Sequence, residues 1–492
     1  MLRSAYSGSK QKADVESITT WSPTMSAPIT HPLLESGPVI HDWRPEDAQF
    51  WESTGRRIAN RNLAISIPAL LLAFAVWMMF SAVTVSLPKI GFTFTTDELF
   101  WLAALPGLSG ATLRIFYSFM IPIFGGRRWT AISTASLIIP AVWLGFAVQD
   151  PSTPIWQFAT IAVLAGLGGG NFASSMSNIS FFFPKAQQGY ALGMNAGLGN
   201  VGVSVTQFVI PTVITMGLFG AIAGNPQTTA DGQALYLQNA GFIWLPFLVV
   251  CTFAAWFGMN DLVSARSSFS DQAIIFKRKH NWLMCWLYIG TFGSFIGYSA
   301  GFPMLIKTQF PEVNALSYAF LGPLVGALSR PIGGWLSDKL GGAFLTFWVF
   351  LLMIAAVFGV LYFLPSGASG GNFIAFLAAF MALFVLTGVG NASTFRMIPI
   401  IFRTQHDRWS ATADSKGKVA ATRQAGIESA AVIGFSSAIG AYGGFFVPKS
   451  YGTSIALTGG PEAALYTFVA FYASCVLITW WWYFRKGAEV PC

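Results

Sequence analysis

Apolar residues run along most of this chain in stretches of 20 or more positions without a charge, separated by short polar connections. A helix of about 20 apolar residues crosses the hydrocarbon core of a bilayer, so each stretch predicts a membrane span. The pattern predicts twelve spans, near 62–88, 99–124, 129–149, 155–184, 187–220, 241–260, 281–306, 314–337, 343–364, 373–402, 424–448 and 463–484. Nothing in it alternates with the period of two that a barrel strand needs, so the expected fold class is an all-α integral membrane protein.

Composition agrees with a lipid solvent. The 492 residues are 54% hydrophobic and only 10% charged, with a mean hydropathy of +0.57, which is more apolar surface than one water-soluble core can bury. Lys and Arg are retained in cytoplasmic connections, and here they fall on one side. With both termini cytoplasmic, the inside loops and the C-terminal end hold Arg127, Arg128, Lys185, Arg266, Lys277, Arg278, Lys279, Lys339, Arg403, Arg408, Lys416, Lys418, Arg423, Arg485 and Lys486. The outside loops hold Lys89, Lys307 and Lys449. The net charge of +8 then reflects topology and attraction to anionic membrane lipids, not nucleic-acid binding.

The same pattern divides the chain. Residues 1–60 form an expected cytoplasmic tail, rich in Ser, Thr, Pro and charge over its first forty positions and lacking a signal-peptide core. Its last part, from His41-Asp42-Trp43-Arg44-Pro45-Glu46-Asp47 to Phe50-Trp51, mixes aromatics with charge and is expected at the membrane surface. Residues 61–262 and 283–486 are two expected six-helix halves, with a cytoplasmic linker at 263–282 and a cytoplasmic C-terminus at 487–492.

The halves read as a repeat. Gly110-Ala111-Thr112-Leu113-Arg114 of span two corresponds to Gly326-Ala327-Leu328-Ser329-Arg330 of span eight, and Gly170-Asn171-Phe172-Ala173-Ser174 of span four to Gly390-Asn391-Ala392-Ser393 of span ten. Glycines cluster in span five (Gly193, Gly197, Gly199, Gly202) and span eleven (Gly434, Gly440, Gly443, Gly444). Small residues spaced by four let helices approach closely. Two parallel related halves of six spans are the plan of the major facilitator transporters, whose substrates bind at the midplane between the halves.

Arginine at the same place in each half carries the chemistry. A guanidinium deep in the bilayer costs at least about 2.5–3.5 kcal/mol, so Arg114 and Arg330 are expected to face the bundle interior and mark a substrate path. All 20 acidic residues can be placed in the tail, the loops, span ends or the C-terminus, with Glu428 the deepest. Two guanidiniums without a protein counterion call for an anion, and the arginine fork suits a planar oxyanion through paired hydrogen bonds. Arg396, in span ten, either reaches back to the cytoplasmic surface or lines an exit path for the anion.

Other classes lack their parts. His31, His41, His280 and His406 lie in the tail or loops, so no pair can hold a haem within the bilayer. Cys251, Cys285, Cys475 and Cys492 show no CxxC spacing, and no GxxxxGK[ST] phosphate loop occurs. No cofactor, metal or catalytic residue is expected, and the chain reads as a carrier and not an enzyme. An anion channel is the remaining alternative from the residues themselves, against which the two-half repeat favours alternating access.

At these residues the sequence resembles the NarK-type bacterial nitrate/nitrite porters of the major facilitator superfamily, from about His41 to the end of span twelve. The resemblance rests on Asp42-Trp43-Arg44-Pro45-Glu46-Asp47, Phe124-Gly125-Gly126-Arg127-Arg128-Trp129-Thr130, Asn171-Phe172-Ala173-Ser174-Ser175-Met176, Gly197-Leu198-Gly199-Asn200-Val201-Gly202-Val203-Ser204 and Thr291-Phe292-Gly293-Ser294-Phe295-Ile296-Gly297. It implies that Arg114 and Arg330 are the paired nitrate-binding arginines, that Phe172 and Phe292 flank the anion, and that Phe74, Asn200 and Tyr288 line the same cavity. It implies signature or gating roles for Gly197, Gly199, Gly202, Gly440, Gly443 and Gly444, nitrate and nitrite as substrates, a bacterial inner-membrane location and a monomer. The loop after span two departs from many facilitators, having Gly-Gly-Arg-Arg without an aspartate, whereas Gly334 to Gly342 keeps Asp338 and Lys339. Relatives either exchange nitrate for nitrite or import nitrate with protons. The absence of a titratable carboxylate near the midplane favours exchange.

Overall fold

The computed structural model describes residues 38–263 and 273–492. The expected tail up to residue 37 and positions 264–272 of the expected linker lie outside the described residues. Eleven helices are long and apolar enough to cross a membrane: α1 (Ala48–Ile90), α2 (Thr96–Tyr117), α3 (Gly126–Ala147), α4 (Ile155–Phe182), α5 (Lys185–Val213), α6 (Asn239–Gly258), α7 (Lys279–Gln309), α9 (Gly342–Phe363), α10 (Phe373–Trp409), α11 (Ser415–Thr458) and α12 (Glu462–Phe484). Between them, α8 (Leu321–Leu340) is of spanning length at 20 residues, but Arg330, Asp338, Lys339 and four glycines dilute its apolar content.

Local sequence sets the helix ends. Thr95 opens α2 with a capping box: its hydroxyl accepts from the Glu98 N–H, and the Glu98 carboxylate accepts from the Thr95 N–H at 2.7 Å. Asn372 and Asp414 cap α10 and α11 by the side chain alone, accepting from the Ala375 and Gly417 N–H groups. At the start of α5 the cap comes from far away in sequence, since Glu46 accepts from the Lys185 N–H at 3.0 Å and places a carboxylate at the positive end of the helix.

The face that carries Pro38 and Cys492, called the terminal face below, is laced within each half. Strand β1 (Val39–Ile40) pairs in parallel with β4 (Asp261–Leu262), next to the end of α6, whereas β2 (Gln227–Thr228) and β3 (Ala234–Leu235) form a hairpin on the opposite face. After β1, Trp43 donates to the Phe181 carbonyl at 3.0 Å and packs edge-on against Phe182, and Trp51 packs against Phe183. The aromatics of the segment expected at the membrane surface are thus buried on the α4–α5 turn. Asp261 supplies the aspartate that the α2–α3 loop lacks, accepting the Arg127 N–H at 2.8 Å and lying 3.3 Å from its Nε. In the other half the Ala343 N–H stands the same number of residues after Arg330 as Arg127 does after Arg114, and it donates to the Cys492 carbonyl at 2.9 Å.

The described polar and ring contacts between the two halves lie away from Pro38 and Cys492. Lys449 of α11 pairs with Asp97 of α2 at 2.7 Å and lies over the Trp101 ring; Lys307 of α7 donates to the Val85 carbonyl of α1 at 2.7 Å. Phe208 of α5 packs edge-on against Phe320, just before α8. Glycine lets α2 and α11 touch here: a Cβ on Gly107 would fall 2.3 Å from the Gly444 carbonyl carbon. Among the described residues, every hydrogen bond, ion pair and ring contact that joins α1–α6 to α7–α12 lies at mid-depth or toward this face. Among the described residues these contacts seal the interface on that side, and none of them lies on the side of Pro38 and Cys492.

Candidate anion-binding site

The site is built where α2, α4, α7, α8 and α10 pass mid-depth. Arg114 is fully buried, and small residues around it make the room. Gly110 and Gly169 face one another so closely that a Cβ on Gly169 would meet the Gly110 Cα at 2.8 Å, and the Trp77 indole fills the groove they leave. Trp77 donates to the Pro106 carbonyl at 2.7 Å and lies under the guanidinium, 5.2 Å from its carbon to the ring centroid. Phe172 at 4.7 Å, Phe292 at 5.1 Å and Phe74 at 5.9 Å complete an aromatic cage. Cation–π contacts of this kind steady a desolvated guanidinium without cancelling its charge.

Two hydrogen bonds aim the fork. Arg114 Nε donates to the Gly169 carbonyl at 2.8 Å, and Nη1 donates across the interface to the Ser437 carbonyl of α11 at 3.0 Å. Nη2 is buried and has no partner. Beside that bond, Thr112 and the Tyr442 hydroxyl lie 2.9 Å apart, a second polar contact between the halves.

Arg330 is half-buried on α8 and is held within its own half. Its Nη2 donates to Asn391 Oδ1 at 3.1 Å, which also accepts from the Tyr288 hydroxyl at 2.6 Å, and its Nη1 is buried without a partner. Aromatic rings connect the two guanidiniums: Phe172 stacks with Phe292 at 6.4 Å, Phe292 with Tyr288 at 5.3 Å, and Tyr288 with Phe395 at 4.5 Å. Among the described residues neither Arg114 nor Arg330 pairs with a carboxylate.

The structure therefore brings together Arg114, Arg330, Phe172, Phe292, Tyr288 and Phe74. Asn200 is fully buried on α5 with both amide atoms unpartnered. The expected signature glycines separate into two kinds. Gly199 and Gly202 pack on α1, and Gly440, Gly443 and Gly444 pack on α7, whereas a Cβ on Gly197 would meet open space. Arg396 is paired with Asp338 at 2.5 Å. Glu428, fully buried, accepts both arms of the Arg278 fork at 2.8 Å and lies 3.2 Å from His406 Nε2. That carboxylate is thus matched by the Arg278 guanidinium at the terminal face and pairs with neither site arginine.

A model of the Major Facilitator Superfamily matches residues 69–405. The chain is 56% identical over 449 residues to the nitrate/nitrite transporter NarU of Escherichia coli strain K12, covering 91% of this chain and 96% of the relative. It is 43% identical over 465 residues to the probable nitrate/nitrite antiporter NarK2 of Thermus thermophilus, covering 93% and 99%. The chain belongs to the major facilitator superfamily, in its NarK-type branch. The superfamily fold is also seen in the inward-open xylose transporter XylE of E. coli, with a TM-score of 0.59 at 12% identity over 85% of this chain and 96% of that one.

Within this superfamily fold, three contributors escape a reading of the sequence. Trp77 stands one helical turn from Phe74, but its place under Arg114 depends on the Gly110–Gly169 gap. The Ser437 carbonyl leaves no side-chain signal at all. Asn391 was visible as part of the repeated Gly-Asn motif, without a sign of which groups it holds.

Proposed function

We propose that this protein carries nitrate and nitrite across the membrane by alternating access, exchanging one for the other. The observation that carries the reading is the pair of partnerless guanidinium nitrogens, Arg114 Nη2 and Arg330 Nη1, buried among stacked aromatic rings without a carboxylate. A small planar monovalent oxyanion supplies the missing charge and the missing acceptors together, and the apolar walls strengthen those bonds by keeping water out. Names carried by the relatives support the same substrates.

Exchange follows from the two charges that the arginines bring to the interface. Arg114 of one half is bonded to the Ser437 carbonyl of the other, and with no anion present two like charges face a gap that must close during rocking. An anion reduces that repulsion, so the loaded carrier reorients and the empty one stays. Nitrate/proton symport is the second reading, favoured by the buried Glu428–His406 contact of 3.2 Å. The excess of Lys and Arg on the terminal face supports a bacterial inner-membrane location with both termini cytoplasmic. A monomer is the proposed unit, with residues 61–262 and 283–486 as the rocking halves.

The test is nitrate uptake by the purified protein in liposomes, with nitrite or chloride in competition and with or without an imposed pH gradient. Nitrite should compete and chloride should not. Nitrate accumulation in anion-free vesicles driven by the pH gradient alone would establish symport, and equal competition by chloride would remove the oxyanion site.

A further inference from the structure

Asn391 is buried at mid-depth on α10, and the groups around it fix which way its amide faces. An arginine can only donate, so the atom 3.1 Å from Arg330 Nη2 must be the carbonyl oxygen, and the Tyr288 hydroxyl donates to that same oxygen at 2.6 Å. The amide nitrogen is left as a pure donor, buried and without a protein acceptor. Two consequences follow for Arg330. With Nη2 engaged by a neutral acceptor, its rotation is restricted while its full charge is kept. Arg330 thus keeps a partnerless Nη1, and Asn391, which holds its other arm, keeps a partnerless donor of its own.

We infer that Asn391 is a further binding and positioning residue that sets the preference for nitrate over nitrite, an inference that rests on the nitrate/nitrite reading above. Nitrite presents two oxygens, and the partnerless nitrogens of Arg114 and Arg330 suffice to meet them. Nitrate presents a third in the same plane. Asn391 Nδ2 supplies the matching donor, with its direction set by two hydrogen bonds on the other side of the amide. Asn200 differs in this respect: both of its amide atoms are unpartnered, so no hydrogen bond among the described residues fixes its orientation.

The experiment measures nitrate and nitrite KM and maximal rate for the wild-type protein and for Asn391→Ala, Asn391→Asp and Tyr288→Phe in liposomes, with the melting temperature of each. Asn391→Ala should raise the nitrate KM by about tenfold and the nitrite KM by clearly less, with the maximal rate nearly kept. Asn391→Asp has the same shape and can still accept from Tyr288 and Arg330, yet its carboxylate neutralises the guanidinium. It should lose more than about a hundredfold in binding of both anions at an unchanged melting temperature. Tyr288→Phe should have the smallest effect, because Arg330 still holds the amide. Equal KM changes for the two anions in Asn391→Ala, or wild-type nitrate affinity in Asn391→Asp, would overturn the inference. If the wild-type protein moves neither anion, it is the assignment of substrate that fails.

Discussion

Arg114 and Arg330 occupy corresponding places in the two halves, yet they are held in different ways. Arg114 is fully buried in an aromatic cage, fixed by two backbone carbonyls, one of which belongs to the opposite half. Arg330 is half-buried and bonded to a side chain of its own half. The comparison teaches that a repeat can conserve charge while dividing labour. One guanidinium grips the partner half, and the other is held wholly within its own.

Substituting lysine should break this comparison unevenly. Lysine keeps the charge but replaces a planar fork with a point donor. Arg114→Lys loses the bonds to Gly169 and Ser437 together with its fit in the cage, so nitrate affinity should fall on the order of a hundredfold. Arg330→Lys should cost about tenfold, since Asn391 still offers an acceptor. Equal losses measured by nitrate-dependent thermal shift would mean that the cross-interface bond contributes nothing.

The sealed and unlaced faces differ in what their glycines do. Gly107→Ala forces a Cβ to 2.3 Å from the Gly444 carbonyl carbon, whereas Gly197→Ala extends into open space. Turnover of Gly107→Ala should fall several-fold and thiol labelling from the non-terminal face should rise, with Gly197→Ala unaffected in that labelling. Unchanged accessibility in Gly107→Ala would show that close backbone contact is not what seals this face.

Smaller effects sharpen the picture. Phe172→Ala or Phe292→Ala opens the apolar wall that penalises hydrated ions, and selection of nitrate over chloride should weaken about threefold to tenfold. If selectivity is unchanged, the rings only pack. Asp97→Asn breaks the pair with Lys449, in which both side chains are partly exposed, and exposed pairs contribute about 0–1 kcal/mol. Turnover should change by no more than about twofold, and a larger loss would make this pair a principal gate.

The fold was legible because apolar run length and the sidedness of Lys and Arg report the bilayer directly. Even so, α8 falls short as a purely apolar helix, since Arg330, Asp338, Lys339 and four glycines dilute it. The paired arginines were legible from the repeated Gly-Ala-x-x-Arg pattern and the missing carboxylates. What each arginine touches was not. The Ser437 carbonyl, the Trp77 ring and the direction of the Asn391 amide depend on helix rotation and on contact between halves, which no local pattern encodes. Asp261, reaching back to Arg127, shows the same limit, because the sequence loop lacked the aspartate that another helix end supplies.

The central claim is that an anion between the two arginines is what lets the halves exchange faces. It is tested most directly by nitrate efflux from loaded liposomes into medium with or without nitrite, at equal pH on both sides. Fast efflux with nitrite and slow efflux without it is the predicted result. Equally fast efflux in both media would show that the empty carrier reorients freely and would contradict the account.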